Sequence, residues 1–88
     1  MNLQKHGVSF EDARSAFDDS LGLDGEDLGH SVIEVRRLRL ARSSSGEILL
    51  IAYTKRRRRN EEITEITRII SARRASRKER KRYQAPED

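Results

Sequence analysis

Leu38 and Leu40 alternate with Arg37, Arg39 and Ala41, and a little further on the chain becomes continuously apolar, Ile48-Leu49-Leu50-Ile51-Ala52-Tyr53. The first pattern has period two, as a strand with one wet face does. The second fits a central strand covered on both faces. Ser43-Ser44-Ser45-Gly46 between them reads as a hairpin turn. Ile63 to Ser71 carries Ile63, Ile66, Ile69 and Ile70 with interspersed Thr and Ser, and its β-branching predicts a third strand. The hairpin therefore commits the middle of the chain to an antiparallel sheet.

Helices flank it. Gly7 after Asn2-Leu3-Gln4-Lys5-His6 reads as a helix stop. Ser9-Phe10-Glu11-Asp12 reads as an N-cap followed by acids in the first turn. Phe10, Ala13, Ala16 and Phe17 then share one helix face, and Asp18-Asp19-Ser20 closes the helix. Leu21 to Ser31, with Gly22, Gly25 and Gly29 among acids, reads as a loop, and Lys55 to Asn60 as a basic turn. Ser76-Arg77-Lys78-Glu79 has capping-box spacing and opens a last helix to about Tyr83, with fraying expected around Pro86. The order α, α, β, β, β, α gives an α+β fold: a small antiparallel sheet of three to four strands flanked by helices. With 88 residues, one domain over 1–88 is expected.

Composition removes several function classes. There is no cysteine, so no disulfide scaffold, thiol nucleophile or Cys-based zinc site exists. With two histidines, His6 and His30, no multi-His metal site and no cofactor are expected. No apolar run approaches the ~18 residues of a membrane helix, and Met1 to Phe10 lacks a signal-peptide core, so the cytoplasm is the expected address.

Charge supplies the positive clue. Residues 1–34 set Lys5 and Arg14 against eight acids, a balance of −6, and residues 35–88 set the other 17 bases against seven acids, a balance of +10. Only Lys5, Lys55, Lys78 and Lys81 among the 19 bases are lysine, which leaves 15 arginines. Arginine grips phosphate through a planar fork and stacks on bases; a genome rich in Arg codons would produce the same bias.

The run Arg56-Arg57-Arg58-Arg59 reads as a contact to nucleic-acid backbone, although a solvated loop would carry the same charges. Arg68, Arg73, Arg74, Arg77, Arg80 and Arg82 surround the last strand and helix, Arg68 sharing strand parity with Ile70 and Arg73 falling just past the strand. Arg77 and Lys81 form a basic helix stripe at i, i+4. Glu34 and Arg36 leave one face of the first strand, either as a surface ion-pair neighbourhood or as a carboxylate and guanidinium aimed into one site. Glu79 reads as a capping residue and Tyr83 as a core-edge aromatic. No Ser-His-Asp set, Walker loop or aromatic stacking platform is present.

Lys5-His6-Gly7-Val8-Ser9-Phe10-Glu11-Asp12-Ala13 followed by Phe17-Asp18-Asp19, then His30-Ser31 with Glu34-x-Arg36, then Arg68-Ile69-Ile70-Ser71-Ala72-Arg73-Arg74-Ala75-Ser76-Arg77-Lys78-Glu79-Arg80 and Tyr83, together resemble the BrnT toxin family along nearly the whole chain. The resemblance implies a toxin of a type II toxin–antitoxin pair with a RelE/ParE-like fold. It implies metal-independent RNA cleavage that halts translation, and a BrnA-type antitoxin that masks the site and supplies DNA binding to the operator. RNA, free or ribosome-associated, would be the substrate. The family's usual N-terminal strand, with a Phe-x-Trp-Asp-like segment, has no counterpart before Asn2, so the sheet is expected to lack that strand. The Lys55–Glu65 stretch is longer and more basic than the family's turn, and Arg37 stands where an aromatic is usual.

Such cleavage needs a base for the 2′-hydroxyl, cations for the phosphate and an acid for the leaving oxygen. Arg36, Arg68 and Arg73 suit the phosphate, since a guanidinium keeps its proton. Lys5, His6 or Glu34 would carry the proton, with Lys5 and Arg73 the leading pair by family analogy. Two other readings remain: a non-catalytic basic nucleic-acid-binding module, and an N-terminally truncated, inactive toxin that still binds antitoxin.

Overall fold

The structure, a computed structural model, describes residues 7–26, 36–57 and 65–84. Helix α1 (Phe10–Ser15) runs into a 3-10 turn, Ala16–Asp18. Four strands follow, β1 (Leu23–Glu26), β2 (Arg36–Arg42), β3 (Ile48–Arg57) and β4 (Glu65–Arg74), and then helix α2 (Arg77–Gln84). The strands form an antiparallel meander in the order β1-β2-β3-β4. The α+β expectation is met.

Local chemistry accounts for the borders. Ser9 caps α1, its Oγ accepting from the Asp12 amide at 3.0 Å. Gly7 holds φ +69 at the turn into this segment, as the stop expected there requires; the helix expected before it lies outside the described residues. The β2–β3 hairpin turns at Ser43–Gly46, where Gly46 adopts φ +91. That turn is pinned to α1: the Ser44 amide donates to Ser15 Oγ at 2.8 Å, and the Ser45 hydroxyl donates to Asp12 Oδ2 at 2.8 Å.

One core lies on each face of the sheet. Val8, Ala13 and Ala16 pack with Ala41, Leu49, Ile51, Ile69 and Ala72, with Phe17 at the margin. On the opposite face, Leu40, Ile48 and Ala75 pack with Leu50 and Tyr83 of α2. β3 is thus central and covered twice, as its apolar run predicts. Tyr83 is a core-edge aromatic whose hydroxyl also donates to Asp19.

Several local expectations are corrected. Leu23–Glu26, inside the predicted loop, is an edge strand, held by pairing to Arg37–Leu40 rather than by its own β propensity. The face of β2 carrying Arg39 and Ala41 is not wet: Ala41 is fully buried and Arg39 is 8% exposed. Phe10 is 53% exposed and leaves the core face to Val8, Ala13 and Ala16. The basic turn does not begin at Lys55, because β3 continues through Arg56 and Arg57, paired with Ile66 and Glu65; ladder bonds form whatever the side chain. Arg73 lies inside β4, opposite Leu50.

Arg39 is buried because its charge is met on every side. Its Nε donates to Ala16 O at 3.0 Å, and its two terminal nitrogens donate to Asp24 Oδ2 and Asp19 O, each at 2.6 Å. Phe17 lies beneath the guanidinium, 5.5 Å from ring centre to Cζ, and meets Tyr53 edge-on at 5.0 Å. The Tyr53 hydroxyl donates to Asp24 Oδ1 at 2.7 Å. Burial, reinforced by the Asp24 carboxylate, pushes the Tyr53 hydroxyl up to about 12.

Candidate nucleic-acid interface

The strand register collects arginines on the face that carries α2. Arg36 of β2 and Arg68 of β4 both pair with Thr54 of β3, so Arg36, Thr54 and Arg68 form one row across the sheet. Arg73 pairs with Leu50, four residues from Thr54 along β3 and therefore on the same face, about 13 Å away. In an unbroken strand, residues five apart point to opposite sides. Here Ala52 pairs with Ser71 while Tyr53 pairs with Ile69, leaving Ile70 as the extra residue of a β-bulge. The bulge turns Arg68 to the side of Arg73 and away from the parity it would share with Ile70.

Arg68 is exposed, and its side chain makes no hydrogen bond or ion pair with a described residue. Arg36 is half-buried and engaged in an interaction of its own. Thr54 between them is 1% exposed, and its Oγ1 has no hydrogen-bond partner among the described residues.

Arg73 is committed to α2. Its two terminal nitrogens donate to Glu79 Oε1 and Oε2 at 2.8 and 2.9 Å. Glu79 also completes the predicted capping box: Oε1 accepts from the Ser76 amide at 2.8 Å, and Ser76 Oγ accepts from the Glu79 amide at 3.2 Å. Hydrogen bonding from Arg73 outweighs burial and, with help from Ser76, holds the Glu79 carboxyl down at about 2. The same pairing raises Arg73. Glu79 is thus a permanent anion at neutral pH and a poor proton carrier, and it positions Arg73.

Arg77 and Lys81 are exposed on α2, whose eight residues hold five bases and one acid. Arg74 leaves the opposite face of β4, bonded to Glu47 Oε2 at 3.1 Å and bordering Gly7. Lys5, Glu34, Arg58 and Arg59, with His6 and His30, lie outside the described residues. Among the described residues no cluster of three or more His, Asp or Glu could hold a metal ion.

A cleft of about 320 Å³ opens between α2 and the β1 side of the sheet, lined by Leu23, Leu38, Leu40 and Leu50 below and Glu79 and Arg82 above. Sequence reasoning did not single out Thr54 or the Arg39–Asp24–Tyr53 network. Period-two reading marks an arginine as wet, and a threonine next to an apolar run looks like an ordinary strand residue. Its place between two arginines appears only once strands are in register.

The family model described as ribonuclease toxin, BrnT, of type II toxin-antitoxin system matches residues 1–79. The chain belongs to the BrnT family. No curated protein matches the chain. As a BrnT protein it is a ribonuclease toxin of a type II system, which implies RNA as substrate and an antitoxin as partner. The matched segment includes all four strands and the Arg73–Glu79 pair. No described helix of this BrnT chain is long and apolar enough to cross a membrane.

Proposed function

We propose that the chain acts as one domain over residues 1–88 and cleaves RNA in the cytoplasm without a metal ion. The 2′-hydroxyl attacks the adjacent phosphorus, the 5′-oxygen leaves, and a 2′,3′-cyclic phosphate results. Loss of message halts translation, and a BrnA-type antitoxin restores it by covering the arginine face. A RelE-like arrangement of sheet and helices belongs to the same reading.

The observation that carries the proposal is the shared face of Arg36, Arg68 and Arg73, created by the bulge at Ile70. A phosphate gaining negative charge in the transition state is stabilised by fixed cations aimed at it. Arg68 is exposed to reach the phosphate, and Glu79 keeps Arg73 in one orientation, which lowers the cost of ordering it on RNA. Arg77 and Lys81 extend the positive track along α2 and, with Arg56, Arg57, Arg58 and Arg59, supply sequence-independent affinity, while Arg74, on the other face and paired with Glu47, stands outside this track. The proton carriers are drawn from Lys5 and Glu34, with His6 as the alternative, on family analogy.

The test uses the full chain and a labelled RNA in EDTA. Cleavage with cyclic-phosphate and 5′-hydroxyl ends is expected, with a loss of tenfold or more in Arg68→Ala and Arg73→Ala. Cleavage abolished by EDTA overturns the metal-free mechanism. Intact RNA shifted with a steep salt dependence identifies a binding module instead.

A further inference from the structure

We propose that Thr54 is a phosphate-binding residue of the RNA site, its buried hydroxyl donating to a non-bridging oxygen that Arg68 holds from the neighbouring strand. The inference rests on the ribonuclease reading and adds to it a residue that no charge pattern reveals. Thr54 is 1% exposed and Oγ1 finds no partner among the described residues. A buried hydroxyl without a partner is costly, and valine has nearly the same shape without that cost. The register explains what the hydroxyl lacks. Its neighbours in the row, Arg36 and Arg68, carry donors only, and a guanidinium cannot accept the Thr54 proton. An arriving phosphate reverses the situation: one non-bridging oxygen accepts both from Oγ1 and from Arg68, whose side chain is exposed and has no described partner. Burial strengthens that hydrogen bond, because water competes poorly at the site. The hydroxyl thus gains in the complex the partner it lacks in the free protein.

The test compares wild type, Thr54→Val, Thr54→Ser and Arg68→Ala as full chains. Three readouts are used: cleavage of an RNA oligonucleotide, affinity for its uncleavable 2′-O-methyl counterpart, and thermal midpoint. Thr54→Val is expected to lose roughly ten- to a hundredfold in cleavage and to bind the uncleavable RNA more weakly. Its midpoint should equal or exceed that of wild type, the opposite of what loss of a structural hydrogen bond produces. Thr54→Ser, which keeps the hydroxyl, should recover the activity lost in the valine variant. The inference is overturned if Thr54→Val cleaves and binds like wild type while Arg68→Ala is impaired. It is equally overturned if the valine variant melts lower, for then the hydroxyl is already bonded within the fold. If wild type cleaves nothing, the ribonuclease reading fails by itself, and the affinity for uncleavable RNA still decides whether Thr54 contacts phosphate.

Discussion

Glu79 holds Arg73 through both guanidinium nitrogens while one of the same carboxylate oxygens accepts the amide of Ser76. One side chain therefore fixes a candidate phosphate ligand on β4 and closes the first turn of α2.

That double duty gives a pH signature. The Glu79 carboxyl is held at about 2, below its ordinary 4.5, so its stabilisation is present above pH 4.5 and is lost as pH falls toward 2. The stability gap between wild type and Glu79→Gln, measured by denaturant titration, should be constant from pH 7 to about 5 and close between 4.5 and 2. A gap that stays open at pH 2 refutes the assignment.

At the alkaline end both tyrosines resist ionisation. Burial and Asp24 push Tyr53 up to about 12, and burial and Asp19 raise Tyr83 from 10. Each phenol then stabilises the fold below pH 10 and loses that contribution as pH rises through the folded value, near 12 for Tyr53. Ultraviolet titration should show no tyrosine ionising at its ordinary pH, and Tyr53→Phe should remove the step near 12.

Arg39 is the costliest polar residue to remove. Three described acceptors and the Phe17 ring surround it, so Arg39→Met should destabilise the protein by about 2–4 kcal/mol, an amount moderated by the partial exposure of Asp24. A methyl group on Gly22 would fall 2.4 Å from the Arg39 guanidinium, so Gly22→Ala should also be harmful. Because both changes act on one side chain, Gly22→Ala should cost far less in the Arg39→Met background, and a double-mutant cycle by urea unfolding measures the difference.

On RNA, Arg68→Ala should weaken binding across sequences and lower the slope of log affinity against log salt by about one. Arg14→Ala, on exposed α1 across the sheet, should change neither. Equal losses in the two variants would mean that the α2 face is not the contact surface.

The hairpin and both caps were legible because local signals and tertiary structure agree there. Alternation, a Ser-rich turn ending in Gly46 and an apolar run can form little else, and Ser9 and Ser76 with Glu79 cap their helices as spacing alone indicates. β1 was not legible: Leu23-Asp24-Gly25-Glu26 has one apolar side chain, and it is a strand because β2 offers it a partner. The site was legible in kind but not in arrangement. Arg68 and Arg73 stand out in the sequence, yet simple parity places them on opposite sides of β4. Glu79 is recognisable as a cap, and nothing local announces its grip on Arg73. Thr54 gains meaning only from two residues far away in the chain.

The bulge makes spacing along β4 a property of the molecule in its own right. Deleting Ile70 would leave Arg68 and Arg73 four residues apart in an unbroken strand, so Arg68 would stay on the arginine side opposite Thr54 and Ile69 would stay in the core opposite Tyr53. The extra residue thus lets two arginines an odd number of positions apart act from one side of the sheet, and the strand could lose it without exchanging what is inside for what is outside.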